Sequence, residues 1–208
     1  ILTSSGDKTA ILWNMKGEIL KQFSGNFARI IFSEFSSDGK TILTYSGYNL
    51  QAILWNINGE KLQQFDKVSN VHFSPIHGKI IVSSVDGFVA IYNSYANFSK
   101  NPSNTNFLYS LENQHSPSTN AKFSLNEKFI ISYTYNNDIF LWEPSEQSAR
   151  LIKKFPSGHS APISKLALSP DSLFFLTTSR DKTARVWDFK GNLISILQGH
   201  TGSINDGN

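Results

Sequence analysis

Thr177, His159 and Asp181, toward the end of the 208-residue chain, are the residue types that activate a nucleophile. A hydroxyl beside an imidazole that a carboxylate orients can lose its proton and attack an electrophilic centre. Partial copies of the same set recur along the chain: Thr3 with Asp7, and His115 with Ser132 and Asn136. An enzyme has no use for a triad in every repeat. The recurrence therefore argues for a structural role, and no catalytic residue is assigned.

Other chemistries find less support. His72 and His77 stand beside a strand end and a turn, and no converging ligands accompany them in the sequence, so no metal site is assigned. The stretch "SSDGK" at 36–40 lacks the length of a phosphate-cradling loop and the hydroxyl residue after its Lys. No cofactor is expected. The absence of Cys excludes a disulfide framework and a thiolate metal site, which favours a cytoplasmic location. The net charge of +3 is small and the basic residues are scattered among acidic ones, so neither a nucleic-acid nor a membrane partner is expected. A hydrophobic fraction of 39% with 16 Phe is enough to build a core, and no apolar run reaches membrane-spanning length.

These residues sit in a repeated frame. "DKTAILWNMKGEILKQFSGN" at 7–26 aligns without a gap on "DKTARVWDFKGNLISILQGH" at 181–200. The first is echoed again by "LTYSGYNLQAILWN" at 43–56, and more weakly by "IVSSVDGFVAIYN" at 81–93 and "ISYTYNNDIFLWE" at 131–143. The aromatics Trp13, Trp55, Tyr92, Trp142 and Trp187 recur with a mean spacing of about 43 residues. The longest interval, between Tyr92 and Trp142, holds a polar stretch at 93–106, read as a loop between the third and fourth strands of its unit. Each unit shows a strand ending in Phe-Ser or Leu-Ser, a turn, a β-rich run, a tight turn, a strand ending in the aromatic, and a fourth strand after a Gly-containing turn. Four short strands per unit, in tandem and without helical periodicity, predict an all-β chain of β-propeller blades.

The chain resembles the WD-repeat family through Gly158-His159 and Gly199-His200, the dipeptide Trp187-Asp188, and its relaxed forms Trp13-Asn14, Trp55-Asn56 and Trp142-Glu143. Its "W[ND]xxG[EN]" continuation is similar to WD arrays of multidomain bacterial proteins. The resemblance implies a buried hydrogen-bonded network of His159, Thr177, Asp181 and Trp187. It implies partial copies at Thr3, Asp7 and Trp13, and at His115, Ser132 and Trp142. In the second unit Asn26 takes the His place, Tyr45 the hydroxyl place, and Asn49 the Asp place within a turn one residue longer. The third unit carries Val82, Asp86 and Tyr92, with no His in its short link.

The units are expected as a partial blade over 1–26, blades over about 27–66, 67–115, 116–159 and 160–200, and the start of a further one at 201–208. The ring is expected to be incomplete, because the chain opens inside a second strand and stops where another first strand should begin. The resemblance implies a non-catalytic platform for a protein or peptide partner. The alternatives are a sensor or regulatory propeller within a larger effector protein, and a propeller enzyme. Partners of such platforms often contact the face that carries the second-to-third-strand turns. Just before the turn Asp stand Gly6, Val85, Tyr135 and Arg180, with Tyr48 in the lengthened turn. Tyr48, Tyr135 and Arg180 are the candidate binding residues, being of the types that dominate interface energetics.

Overall fold

The computed structural model describes residues 1–94, 106–111 and 118–207, with residues 118 and 119 described through their backbone alone. The described residues form five antiparallel sheets, each a simple meander. The first has three strands: β1 (Leu2–Ser4), β2 (Thr9–Trp13) and β3 (Ile19–Ser24). The second is β4 (Phe32–Phe35), β5 (Thr41–Ser46), β6 (Gln51–Asn56) and β7 (Lys61–Phe65). The third is β8 (Val68–Phe73), β9 (Lys79–Ser84), β10 (Val89–Asn93) and β11 (Phe107–Ser110). The fourth is β12 (Ser118–Phe123), β13 (Ile130–Thr134), β14 (Asp138–Pro144) and β15 (Ala149–Pro156). The fifth is β16 (Ile163–Leu168), β17 (Phe174–Ser179), β18 (Ala184–Asp188) and β19 (Leu193–Leu197). No helix is assigned among the described residues, and none is long and apolar enough to cross a membrane.

The middle strands explain the apolar runs of the sequence. β5 and β13 are buried along their whole length, because each sheet has a neighbour against both faces. Side chains alternate between those neighbours. In the fourth sheet Ile130, Phe140 and Trp142 pack toward the third sheet, while Ile131, Tyr133, Ile139 and Leu141 pack toward the fifth. In the second sheet Ile42, Ile53 and Trp55 face the first, and Leu43, Tyr45 and Leu54 face the third. Four apolar clusters thus join consecutive sheets, and none joins the first sheet to the fifth. The sheets are blades of a β-propeller, with no closed ring among the described residues. β19 is exposed throughout.

A β-bulge precedes every anchoring aromatic, between Leu12 and Trp13, Leu54 and Trp55, Ile91 and Tyr92, Leu141 and Trp142, and Val186 and Trp187. A bulge re-aims the side chain that follows it. Here it marks the point where Trp55, Tyr92, Trp142 and Trp187 turn into the packing between blades. Phe155 lies 5.1 Å from Trp187, and Phe23 5.9 Å from Trp55, between ring centroids.

The polar stretch at 93–106 lies in sequence between β10 and β11. Most of it, residues 95–105, is outside the described residues. Its two described ends meet through the Asn93 N–H, which donates to the Asn106 carbonyl at 2.8 Å.

Candidate functional site

The fifth sheet brings His159, Thr177, Asp181 and Trp187 together. His159 sits in the loop before β16, Thr177 on β17, Asp181 in the β17–β18 turn and Trp187 on β18. His159 Nδ1 lies 2.8 Å from Asp181 Oδ2, and His159 Nε2 lies 3.0 Å from Thr177 Oγ1. Trp187 Nε1 donates to Thr177 Oγ1 at 3.0 Å. The donor order follows from the ends of the chain. The indole can only donate, and the ionised carboxylate can only accept. Nδ1 therefore carries the imidazole proton, and the Thr177 hydroxyl donates to Nε2.

Electrostatics agree with that order. Burial pushes the His159 imidazole below its ordinary value, outweighing the opposing pull of Asp181, so it stays neutral at pH 7. Burial works against the Asp181 carboxylate too, but the bonds from Thr183 and His159 outweigh it and hold the carboxyl well below the usual range. Asp181 also accepts from the Thr183 N–H at 2.9 Å, the Thr183 hydroxyl at 2.7 Å and the Ser160 N–H at 3.1 Å. The His159 side chain is 0% exposed and Thr177 is 0% exposed. The hydroxyl that a triad would use is spent inside the blade, donating to His159 and accepting from Trp187.

The loop holding His159 is fastened from outside the triad. Arg185 on β18 donates to the Ser157 and Gly158 carbonyls at 2.7 and 2.8 Å. Gly158 has φ of 68°, and a Cβ there would run into the Arg185 guanidinium, so both backbone strain and space require glycine. Asn137, in the β13–β14 turn of the preceding sheet, reaches the same loop. Its Nδ2 donates to the Ala161 carbonyl at 3.1 Å and its Oδ1 accepts the Ile163 N–H at 3.0 Å. Neither Arg185 nor Asn137 stood out in the sequence. The signal for Asn137 is its φ of 61°, since Asn tolerates the left-handed region.

The indole-to-hydroxyl bond recurs. Trp13 donates to Thr3 at 2.8 Å and Trp142 to Ser132 at 3.1 Å. Asp7 accepts the Thr9 N–H at 2.9 Å and its hydroxyl at 2.6 Å, as Asp181 does from Thr183. His115 lies outside the described residues. In the second sheet the expectation of Tyr45 at the hydroxyl place is corrected. Trp55 donates instead to Thr44 Oγ1 at 2.9 Å, and the Thr44 hydroxyl meets Asn26 Oδ1 at 3.2 Å. Tyr45 is the next residue along the strand and so points to the other face. Its hydroxyl lies 3.1 Å from both the Val68 and Ser69 carbonyls. Asn49 meets Gln51 at 3.4 Å, and Gln51 donates to Asp66 at 2.8 Å. The third sheet has Val82 and Tyr92 in place of the pair, and its Asp86 is held by Lys67 at 2.8 Å.

His72 and His77 each meet a carboxylate of a neighbouring sheet, Glu34 at 3.6 Å and Glu127 at 2.5 Å. Among the described residues no group of three His, Cys, Asp or Glu could hold a metal ion.

Tyr48, Tyr135 and Arg180 lie in the β5–β6, β13–β14 and β17–β18 turns, all at the same end of their sheets. Tyr48 is 72% and Tyr135 63% exposed, and Arg180 is exposed. The Arg29 guanidinium lies 4.8 Å above the Tyr48 ring. Two further exposed aromatics join this edge. They are Phe27 in the loop before β4 and Phe88 in the β9–β10 turn, and the turn-Asp argument passes over both.

Tandem antiparallel blades, four of the five tied by an indole–hydroxyl bond, make up a β-propeller architecture similar to that of WD-repeat proteins. The family model "WD domain, G-beta repeat" matches residues 149–188, from β15 of the fourth blade to β18 of the fifth. It is 22% identical to a guanine nucleotide-binding protein subunit beta of Oryza sativa subsp. indica, over 92% of this chain and 54% of that protein. It is 23% identical to polyadenylation factor subunit 2 of Candida albicans over 59% of this chain and 20% of that protein. It is 31% identical to a Notchless protein homolog of Arabidopsis thaliana over 35% of this chain and 15% of that protein. The chain spans about half the length of the beta subunit it matches over most of its own length.

Proposed function

We propose that the chain is a non-catalytic interaction platform, which binds a protein or peptide on the edge formed by the second-to-third-strand turns. The observation that carries this reading is the contrast between two layers. The side chains of the polar triad are closed off and its hydroxyl is used internally. Beside it Arg180 stands exposed next to Asp181, and Tyr48, Tyr135, Phe27 and Phe88 stand exposed at the same end of the other blades. Aromatic rings and Arg on a rigid support are the groups that supply most of the energy of protein interfaces. Two similar proteins carry "subunit" in their names, which suits a protein that works within assemblies. The scattered charge supports a protein partner over nucleic acid or a membrane, and a Cys-free chain suits the cytoplasm.

The test is simultaneous Ala substitution of Tyr48, Tyr135 and Arg180 in the whole protein, followed by affinity capture from the source cell. A folded triple variant is expected to lose partners that the unaltered protein retains. Unchanged capture by a folded variant rules this edge out.

A further inference from the structure

The opposite end of the sheets carries a second feature. The first strands β4, β8, β12 and β16 each form one edge of their sheets, and β8 packs beside both β4 and β12. They line the inside of the arc. Ala121 and Phe123 of β12 pack toward the third sheet, so Lys122, between them, lies on the opposite face, on the side of Lys165 in the fifth sheet. A cavity of about 390 Å³ opens there beside the turns after the first strands. His72, Lys122 and Lys165 are its charged or titratable lining, Phe73, Phe123 and Leu168 form apolar wall, and no carboxylate lines it.

The two lysines that line this cavity differ in their direct pairing. Glu34 stands 3.6 Å from His72, and Lys165 is paired with Asp206. Lys122 has neither a hydrogen-bond nor an ion-pair partner among the described residues. Burial and then Lys165 push its ammonium below the ordinary range, while Glu34 and Asp206 act more weakly in the other direction. A partly buried lysine normally keeps an acceptor, because the interior gives back little of the lost hydration.

We propose that this cavity binds a monocarboxylate carried on an apolar stem, with the carboxylate on Lys122 and the stem against Phe73, Phe123 and Leu168. Lys165 already holds Asp206, so Lys122 is the lining ammonium left without a direct ion pair, and an added carboxylate would supply one. The volume lies within the ordinary range of small-ligand sites, about 300–1,000 Å³. The site is distinct from the turn edge of Tyr48, Tyr135 and Arg180, at the other end of the strands.

The experiment is calorimetric titration of the full chain with octanoate, 1-octanol and inorganic phosphate near pH 7 at low salt. Octanoate is expected to bind, with octanol and phosphate each weaker by about tenfold or more. Lys122→Gln is expected to weaken octanoate by about tenfold or more, Lys122→Arg to retain it, and Lys16→Gln on an exposed turn to leave it unchanged. Tryptophan fluorescence melts check each variant for folding. Absence of octanoate binding, octanol or phosphate binding as tight as octanoate, or unchanged binding by folded Lys122→Gln overturns the proposal. The three-ligand comparison on the unaltered chain decides the matter should Lys122→Gln not fold.

Discussion

Asn137 Oδ1 accepts the backbone N–H of Ile163 at 3.0 Å, so a turn of the fourth blade fixes the first residue of the fifth blade's inner strand. The same side chain donates to the Ala161 carbonyl at 3.1 Å. One amide therefore satisfies a donor and an acceptor of the loop that carries His159. Asn137→Ala leaves the Ile163 N–H without this acceptor, while the Ala161 carbonyl keeps the Ser179 hydroxyl at 2.8 Å, and the change is expected to destabilise the protein by ~1–3 kcal/mol. Asn137→Asp keeps the acceptor but sets a carboxylate against the Ala161 carbonyl, and it is expected to be no better than Ala. Urea denaturation followed by tryptophan fluorescence measures both. Wild-type stability in Asn137→Ala would mean that the clamp is ornamental.

Stability should fall in two stages on acidification. His159 has its pKa lowered in the folded state, so below about 6.5 the unfolded chain takes up a proton that the folded chain refuses. Proton uptake by the unfolded state favours unfolding, and this part of the stability is lost as pH falls through that range. Asp181 is also lowered, from 3.8, so its contribution is present above that value and disappears as pH falls below it. His159→Asn, which copies Asn26 of the second blade, should flatten the first stage and leave the second. Denaturation midpoints between pH 8 and 3 test this; an unchanged first stage in the variant would assign it to another group.

Asp181→Ala and His159→Ala should each cost ~1–3 kcal/mol, because each removal leaves buried partners unsatisfied. The two changes strand overlapping groups, so together they should cost less than their sum by ~0.5–3 kcal/mol. A double-mutant cycle on denaturation free energies measures the coupling. Strict additivity would show that the two residues act independently.

The blades and their anchoring rings were legible in the sequence because both follow from distances along the chain. A tryptophan and its hydroxyl lie 10 residues apart in the first, fourth and fifth blades, so an antiparallel pair with a tight turn places them together. The second blade has the same pair at 11 residues, through one extra turn residue. That single insertion is what misdirected the hydroxyl place to Tyr45. A one-residue step along a strand reverses the face, so the error moved the assignment to the wrong side of the sheet. Contacts between blades left no such mark. His77 with Glu127 and Asn137 with Ile163 depend on the curvature of the arc, which no local period encodes. The exposed Phe27 and Phe88 were missed because the search for outward residues followed the turn Asp alone.

The third blade suggests how the second could be rewritten. There Val82 and Tyr92 stand in the hydroxyl and indole places, and Tyr92 packs against Phe65 and Phe107 at 4.9 and 5.7 Å between centroids. Thr44→Val alone leaves the Trp55 N–H buried without an acceptor, and should cost ~1–3 kcal/mol. Tyr45→Phe removes a different bond, the one to the Val68 and Ser69 carbonyls that ties the second blade to the third. Combined, these two losses should add, since they lie on opposite faces of β5 and share no partner. Thr44→Val with Trp55→Tyr should instead cost less than the sum of its parts, because the stranded indole donor is gone. Thermal and urea unfolding of the three single and two double variants decide between the two patterns. Additive losses for the Thr44 and Trp55 pair would show that their hydrogen bond contributes nothing beyond packing.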